Sequence, residues 1–387
     1  MKRIFCMKPL PYVRFALALS LATVTGHSLA DALHTQVDEV IEPLMREHDI
    51  AGMAVAVIAD GKEHYFTYGV ANKANAQPVK RDTLFEVGSL SKTYTATLVA
   101  LASAQGTLAL DAPAKRYHPA LEGTSLGEAS VLELGAYSAD CLPLQFPDNV
   151  QTEAQVQAFY QHWKPRVARA TQRCYSNPSL GLFGDLAARA QKQSFAKIMT
   201  EQLLPALGLT DTYLAVPGTA QQRYAQGYNA SNQPVRVNPG PLADEAYGIK
   251  TTVNDAARYV RLQLNADSLA PSLQKAIALT QAGYFKVGPM TQGLGWERYR
   301  YPVALETLLK GNSSEVALNP QPTVRLQPTL PTEPAAWYNK TGATGGFGAY
   351  YAFIPAKGLG IVLLANRNYP NEARVRAAYQ ILSALEH

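Results

Sequence analysis

Ser89 and Lys92 stand three residues apart in the stretch EVGSLSKTYTA, residues 86–96. Residues at i and i+3 share one face of a helix, so the hydroxyl and the amine would lie side by side. A lysine taken out of water loses its proton readily and can accept one from a serine, which then attacks an electrophile. Gly88 permits a sharp turn into that helix, and the Ala-rich run from Thr93 onward suits burial. Ser91, one position from Lys92, points elsewhere and is expected to cap or support. Ser-x-x-Lys also occurs at Ser194–Lys197 and Ser272–Lys275. Both of those serines precede apolar-periodic runs and are expected to be helix N-caps.

A nucleophile needs partners. Tyr175 and Asn177 put a phenol and a carboxamide on one short turn, although Tyr369-Pro370-Asn371 repeats the Tyr-x-Asn pattern. Lys340-Thr341-Gly342 is the only Lys-Thr-Gly in the chain, at a glycine-rich strand edge where a substrate backbone can approach closely. Each motif alone is equally a surface turn. The histidines, at 27, 34, 48, 64, 118, 162 and 387, form no His-x-His pair and flank no motif. No metal and no cofactor are expected.

The elements that must position these residues are legible in part. Residues 34–48 have the apolar spacing of an amphipathic helix, with Pro43 as a challenge to its continuity. Met53 to Ile58 and His64 to Val70 form a predicted hairpin about Asp60-Gly61. A second hairpin spans Gly348 to Ile354 and Gly360 to Leu364, and a helix from Glu372 to Leu385 closes the chain. Between them, from about 89 to 208, the pattern is mostly helical with long loops. The Pro-rich stretch around 310–336 is expected to be surface loop. Antiparallel strands with helices before, between and after them predict an α+β fold.

Composition limits the function classes. The chain has 387 residues, 47% hydrophobic and 17% charged, ordinary for a globular protein with a sizeable core. Residues 1–30 read as a cleaved secretory signal peptide: basic residues, then an apolar run from Phe15, then Ser28-Leu29-Ala30. Its four basic residues account for most of the net charge of +5, leaving +1. No basic run remains for nucleic acid, and no other stretch approaches membrane length. Cys141 and Cys174 are left, as one disulfide or two buried thiols.

In order along the chain, Ser-x-x-Lys, Tyr-x-Asn and Lys-Thr-Gly resemble the penicillin-recognising serine hydrolases, and Tyr-x-Asn in second place looks like the class C, or AmpC-type, serine β-lactamases. Longer blocks such as LFEVGSLSKTYTATL, YSNPSLGLFG, NKTGATGGFGAYYAFIP and LGIVLLANRNYPNEARV carry the resemblance over essentially all of residues 31–387. It implies one catalytic unit, with an α/β part at about 31–85 and 210–387 and a helical part at about 86–209.

By that resemblance Ser89 is the acylated serine, Lys92 its partner and Tyr175 the proton carrier. Gln145 and Asn177 would hold a substrate amide. Lys340 and Thr341 would face its carboxylate, helped by Asn371 and more distantly Arg374. Backbone N–H groups of Ser89 and Ala343 would form the oxyanion hole, and Tyr247 an aromatic wall. The implied activity is β-lactam hydrolysis by a periplasmic monomer acting on a small molecule, without nucleic acid or stable membrane association. A D-Ala-D-Ala carboxypeptidase or esterase is the alternative, and a non-catalytic penicillin or peptidoglycan binder a remote one. Asp140-Cys141, Cys174 and Asn339 depart from common family residues. Placed on the family fold, Cys141 and Cys174 would flank the same side of the cleft, so a disulfide between them is expected.

Overall fold

The computed structural model describes Met1 and residues 29–385; the expected leader, but for Met1 and its last two residues, lies outside the described residues. Ten strands form the central sheet, in the order Val324–Leu330, Gly283–Val287, Met290–Gln292, Glu297–Arg300, Ala336–Ala343, Gly348–Ile354, Leu359–Ala365, Gly52–Ala59, Lys62–Asn72 and Gln77–Pro78. Every neighbouring pair is antiparallel. The first and last parts of the chain meet where Met53 pairs with Ala365. The sheet is therefore continuous only when both parts of the chain are present.

Alternation along these strands feeds two cores. Met53, Val55 and Val57 pack with Val37, Ile41, Val375 and Ile381 of the terminal helices Leu29–Glu47 and Asn371–Ala384. Ala54, Ala56 and Ile58 face the other way, toward Leu98, Phe183 and Val260 of three further helices. Burial on both faces explains why these strands read as continuous apolar runs. The Asp60-Gly61 turn has φ of +52° and +71°, as a two-residue hairpin requires. The first helix passes through Pro43 without a break because Pro43 and Glu39 lie on its exposed side, where water can take the carbonyl left unpaired.

Two expectations are corrected. The Pro-rich stretch is at the surface but is not loop: it holds the helices Leu305–Gly311 and Ser314–Leu318 and the strand Val324–Leu330. That strand is the sheet edge, the position where Pro328 is tolerated. Ser272 is not a cap, since its helix starts at Pro271 with Ala270 in the cap position; proline at the first helical position takes precedence. Of the two roles expected for Ser91 the structure shows support, its Oγ accepting the N–H of Ile249 at 2.9 Å. Ser194 does cap, accepting from Lys197 N.

Candidate active site

A single 3-10 turn, Gly88–Leu90, delivers Ser89 to the start of the helix Ser91–Ala104. That helix is buried along most of its length, and its buried threonines, Thr93, Thr95 and Thr97, donate to backbone carbonyls, as buried hydroxyls must. Gly88 has φ +52°, and a Cβ there would lie 2.3 Å from the Ala343 carbonyl oxygen. A Cβ on Gly342 would lie 2.0 Å from Val87 O. Two glycines thus let the end of the Ala336–Ala343 strand abut the helix start. Ser89 and Ala343 line one cavity as a result.

Lys92 is fully buried. Its Nζ lies 3.0 Å from Ser89 Oγ, 2.6 Å from Asn177 Oδ1 and 2.7 Å from Ala246 O. The last two atoms only accept. A neutral amine can satisfy both with its two hydrogens and turn its lone pair to Ser89; an ammonium satisfies all three. Burial lowers Lys92 to a pKa of about 8, with Lys340 adding to the lowering and Tyr175 opposing it. The amine form is therefore accessible near neutral pH.

Tyr175 follows Arg173 and Cys174 and precedes Ser176, whose side chain caps the helix Asn177–Ala190 by accepting from Ser179 N. That cap fixes the turn carrying both phenol and carboxamide. Burial raises the Tyr175 pKa, but the charges of Lys340 and Lys92, with Ser89 beside it, outweigh burial and bring it to about 8. The ring centroid is 5.0 Å from Lys340 Nζ and 5.3 Å from Lys92 Nζ. Its buried hydroxyl has no hydrogen-bond partner among the described residues. A phenol and an amine of matched pKa can exchange a proton at little cost.

The cavity, about 200 Å³, is lined by Ser89, Tyr175, Lys340, Thr341, Ala343 and Asn371, and also by Leu144, Arg173, Glu297 and residues 311–313 and 316–318. Asn177 Nδ2 donates to Gln145 Oε1 at 2.9 Å, joining these two carboxamides beside Lys92. Among the described residues no group of three or more His, Cys, Asp or Glu is placed to hold a metal.

The β-lactamase family model matches residues 37–386. A β-lactamase of Pseudomonas fluorescens is 52% identical over 350 residues, 90% of this chain and 98% of that protein. The chain belongs to the β-lactamase family. Among solved structures, a β-lactamase/D-alanine carboxypeptidase from Pseudomonas syringae superposes with a TM-score of 0.91 at 47% identity, covering 92% of this chain and all of that one. A class C β-lactamase in complex with cefoxitin gives a TM-score of 0.89 at 44% identity, covering 92% and 99%. The fold is that of the β-lactamases, α+β as expected.

Four expected substrate-binding residues of this β-lactamase, Gln145, Asn177, Tyr247 and Arg374, are not among those lining the cavity. Arg374 is buried behind the sheet, donating to Gly342 O at 2.7 Å, to Asn368 Oδ1 at 2.7 Å and to Tyr369 O; it buttresses the Lys-Thr-Gly strand and does not line the cavity. Tyr247 does not line it either: its hydroxyl accepts the Gly240 N–H at 3.1 Å. Cys141 and Cys174 are joined in a disulfide with Cα atoms 5.0 Å apart. Asn339 is buried, accepting from Asn312 Nδ2 at 2.9 Å and from the Tyr350 hydroxyl at 2.8 Å.

Sequence reasoning missed Arg173, Glu297 and the 311–318 wall. No local signal marked Glu297, which stands beside Arg298 and Arg300 as an ordinary charged strand residue.

Proposed function

We propose that this protein is a class C serine β-lactamase, exported by its leader to the periplasm, that opens cephalosporins and penicillins through an acyl-enzyme on Ser89. The observation that carries this reading is Ser89 Oγ at 3.0 Å from the Nζ of a fully buried lysine, in the cavity that also holds Tyr175, Lys340 and Thr341. The family match and the neighbour that binds cefoxitin support the substrate class.

A β-lactam is an anion with a strained amide. Its carboxylate meets Lys340 and Thr341, with Asn371 at the rim, and its side-chain amide meets Asn177 and Gln145. The carbonyl oxygen points at the N–H groups of Ser89 and Ala343, donors typically worth roughly 3–4 kcal/mol each to a developing oxyanion. Ser89 gives its proton to the Lys92–Tyr175 pair as Oγ bonds to the carbonyl carbon. The C–N bond then breaks while the Tyr175 hydroxyl protonates the leaving nitrogen. Water attacks the ester, loses a proton to the same pair, and Ser89 recovers its own. No cofactor enters, and the substrate is a small molecule bound by a single chain.

The test is to mix the purified protein with cephalosporin and penicillin panels, following ring opening and the adduct by mass spectrometry. Ser89→Ala should abolish turnover and adduct, while Ser194→Ala leaves both nearly intact. An adduct on another serine overturns the assignment.

The neighbour described as β-lactamase/D-alanine carboxypeptidase favours a second reading with the same machinery. A carboxypeptidase would release D-alanine from a D-Ala-D-Ala peptide and retain the lactam-derived acyl group, whereas a lactamase clears it.

A further inference from the structure

A buried ion pair lies under the catalytic phenol, and the proposed reaction leaves it unused. Arg173 Nη2 donates to Glu297 Oε1 at 2.8 Å and its Nε to Gln292 Oε1 at 2.7 Å. Both partners' side chains are over nine-tenths buried, at 2% and 8% exposure, yet both reach the wall of the cavity that holds Ser89. The guanidinium carbon sits 5.4 Å from the Tyr175 ring centroid and 5.2 Å from that of Tyr137. Burying a charge pair brings little stability by itself, because desolvation consumes most of the attraction. Some other benefit must keep it beside a reactive group.

We propose that Arg173 is a positioning residue for the reaction: clamped between Glu297 and the rings of Tyr137 and Tyr175, it cancels the Glu297 charge and keeps the phenol under the influence of Lys92 and Lys340. This rests on the reading of Tyr175 as the proton carrier. The groups facing the phenol are Lys92 from the buried helix, Lys340 from the Lys-Thr-Gly strand, Glu297 from the neighbouring strand Glu297–Arg300, Ser89, Tyr137 and Arg173 itself. After burial, which favours the protonated phenol, Glu297 is the group that pushes in the same direction against the two lysines. With its guanidinium gone, an unpaired carboxylate would hold the proton on Tyr175 more firmly. The ring would also lose the flat cation that it lies against.

The experiment is the pH dependence of kcat/KM for one cephalosporin across a variant series. Arg173→Met should move the acidic limb to higher pH by about one unit, the size of a close charge's effect. Glu297→Gln, which keeps the guanidinium and an acceptor in place, should move it to lower pH. Arg173→Met/Glu297→Gln should return the limb close to the parent value. A role in packing alone moves none of these limbs, so unmoved limbs overturn the proposal, as does a double variant no nearer the parent than Arg173→Met. Should Arg173→Met fail to fold, Glu297→Gln decides by the sign of its shift. Tyr175→Phe is run beside them and should lose turnover; if it keeps turnover and limb, the reading of Tyr175 falls, and this proposal with it.

Discussion

Lys340 has two tasks at residue scale, and they can be separated by experiment. Its ammonium lines the cavity where a substrate carboxylate would lie, and it sits 5.0 Å from the Tyr175 ring. Burial raises the phenol's pKa and the charges of Lys340 and Lys92 lower it to about 8. A lowered pKa means that the proton-accepting form persists to lower pH, so activity falls as pH drops through that value. Lys340→Gln removes one of the two lowering charges. Its acidic limb should therefore move to higher pH, by roughly one unit for a charge this close. On an uncharged ester the variant should show that shift with little change in KM, whereas on a carboxylate-bearing lactam KM should rise as well. The check is a pH–rate profile on both substrates; an unmoved limb on the ester would show that Lys340 does not tune the phenol.

At the scale of elements, the site depends on how closely a strand end and a helix start can approach. Gly88→Ala places a Cβ 2.3 Å from a backbone oxygen and imposes φ +52° on a residue with a side chain. The strand must retreat, and the N–H groups of Ser89 and Ala343 separate. Loss of one oxyanion donor typically costs on the order of 100-fold or more in kcat, so Gly88→Ala should lose at least about that much, with KM less affected. Stopped-flow acylation rates check it, with circular dichroism to show that the fold persists. What the sequence made legible follows the same division. Ser89 with Lys92, the cap-bearing turn at Tyr175 and the two hairpins all depend on spacings of a few residues, so local pattern was enough. Arg173 and Glu297 meet across 124 positions, and only the folded sheet brings them together. Ser272 was misjudged because a proline one residue earlier claims the helix start, while the distant role expected of Arg374 becomes physical only in the fold, where it holds the Gly342 carbonyl.

On the scale of the whole molecule, the Cys141–Cys174 disulfide closes a loop of the helical region with a sequence separation of 33. That loop carries Gln145 near one end, and Tyr175 lies just beyond the other. Asp140 and Cys141 are consecutive residues with φ of +50° and +52°, a conformation costing roughly 1–2 kcal/mol per non-glycine residue. The Asp140 carboxylate accepts from Arg169 Nε at 3.2 Å and its carbonyl from Trp163 Nε1 at 3.2 Å, while Cys174 N donates to Tyr137 O at 2.8 Å. These contacts offset the strain only while the segment stays docked, and the crosslink keeps it docked. In the chain-entropy view a loop of this size adds about 4 kcal/mol by restricting the unfolded chain. For a molecule this large, with unfolding entropy near 2 cal/mol/K per residue, that corresponds to a Tm change of about 5 °C. Cys141→Ala/Cys174→Ala should therefore melt at lower temperature, and dithiothreitol should lower the parent's Tm but not the variant's. Turnover should fall less than in Ser89→Ala, because the phenol keeps its lysines and loses only restraint. Thiol titration of the denatured, unreduced protein completes the test: two reactive thiols from residues 31–387, with a Tm indifferent to reductant, would remove the crosslink from the account of how this site is held.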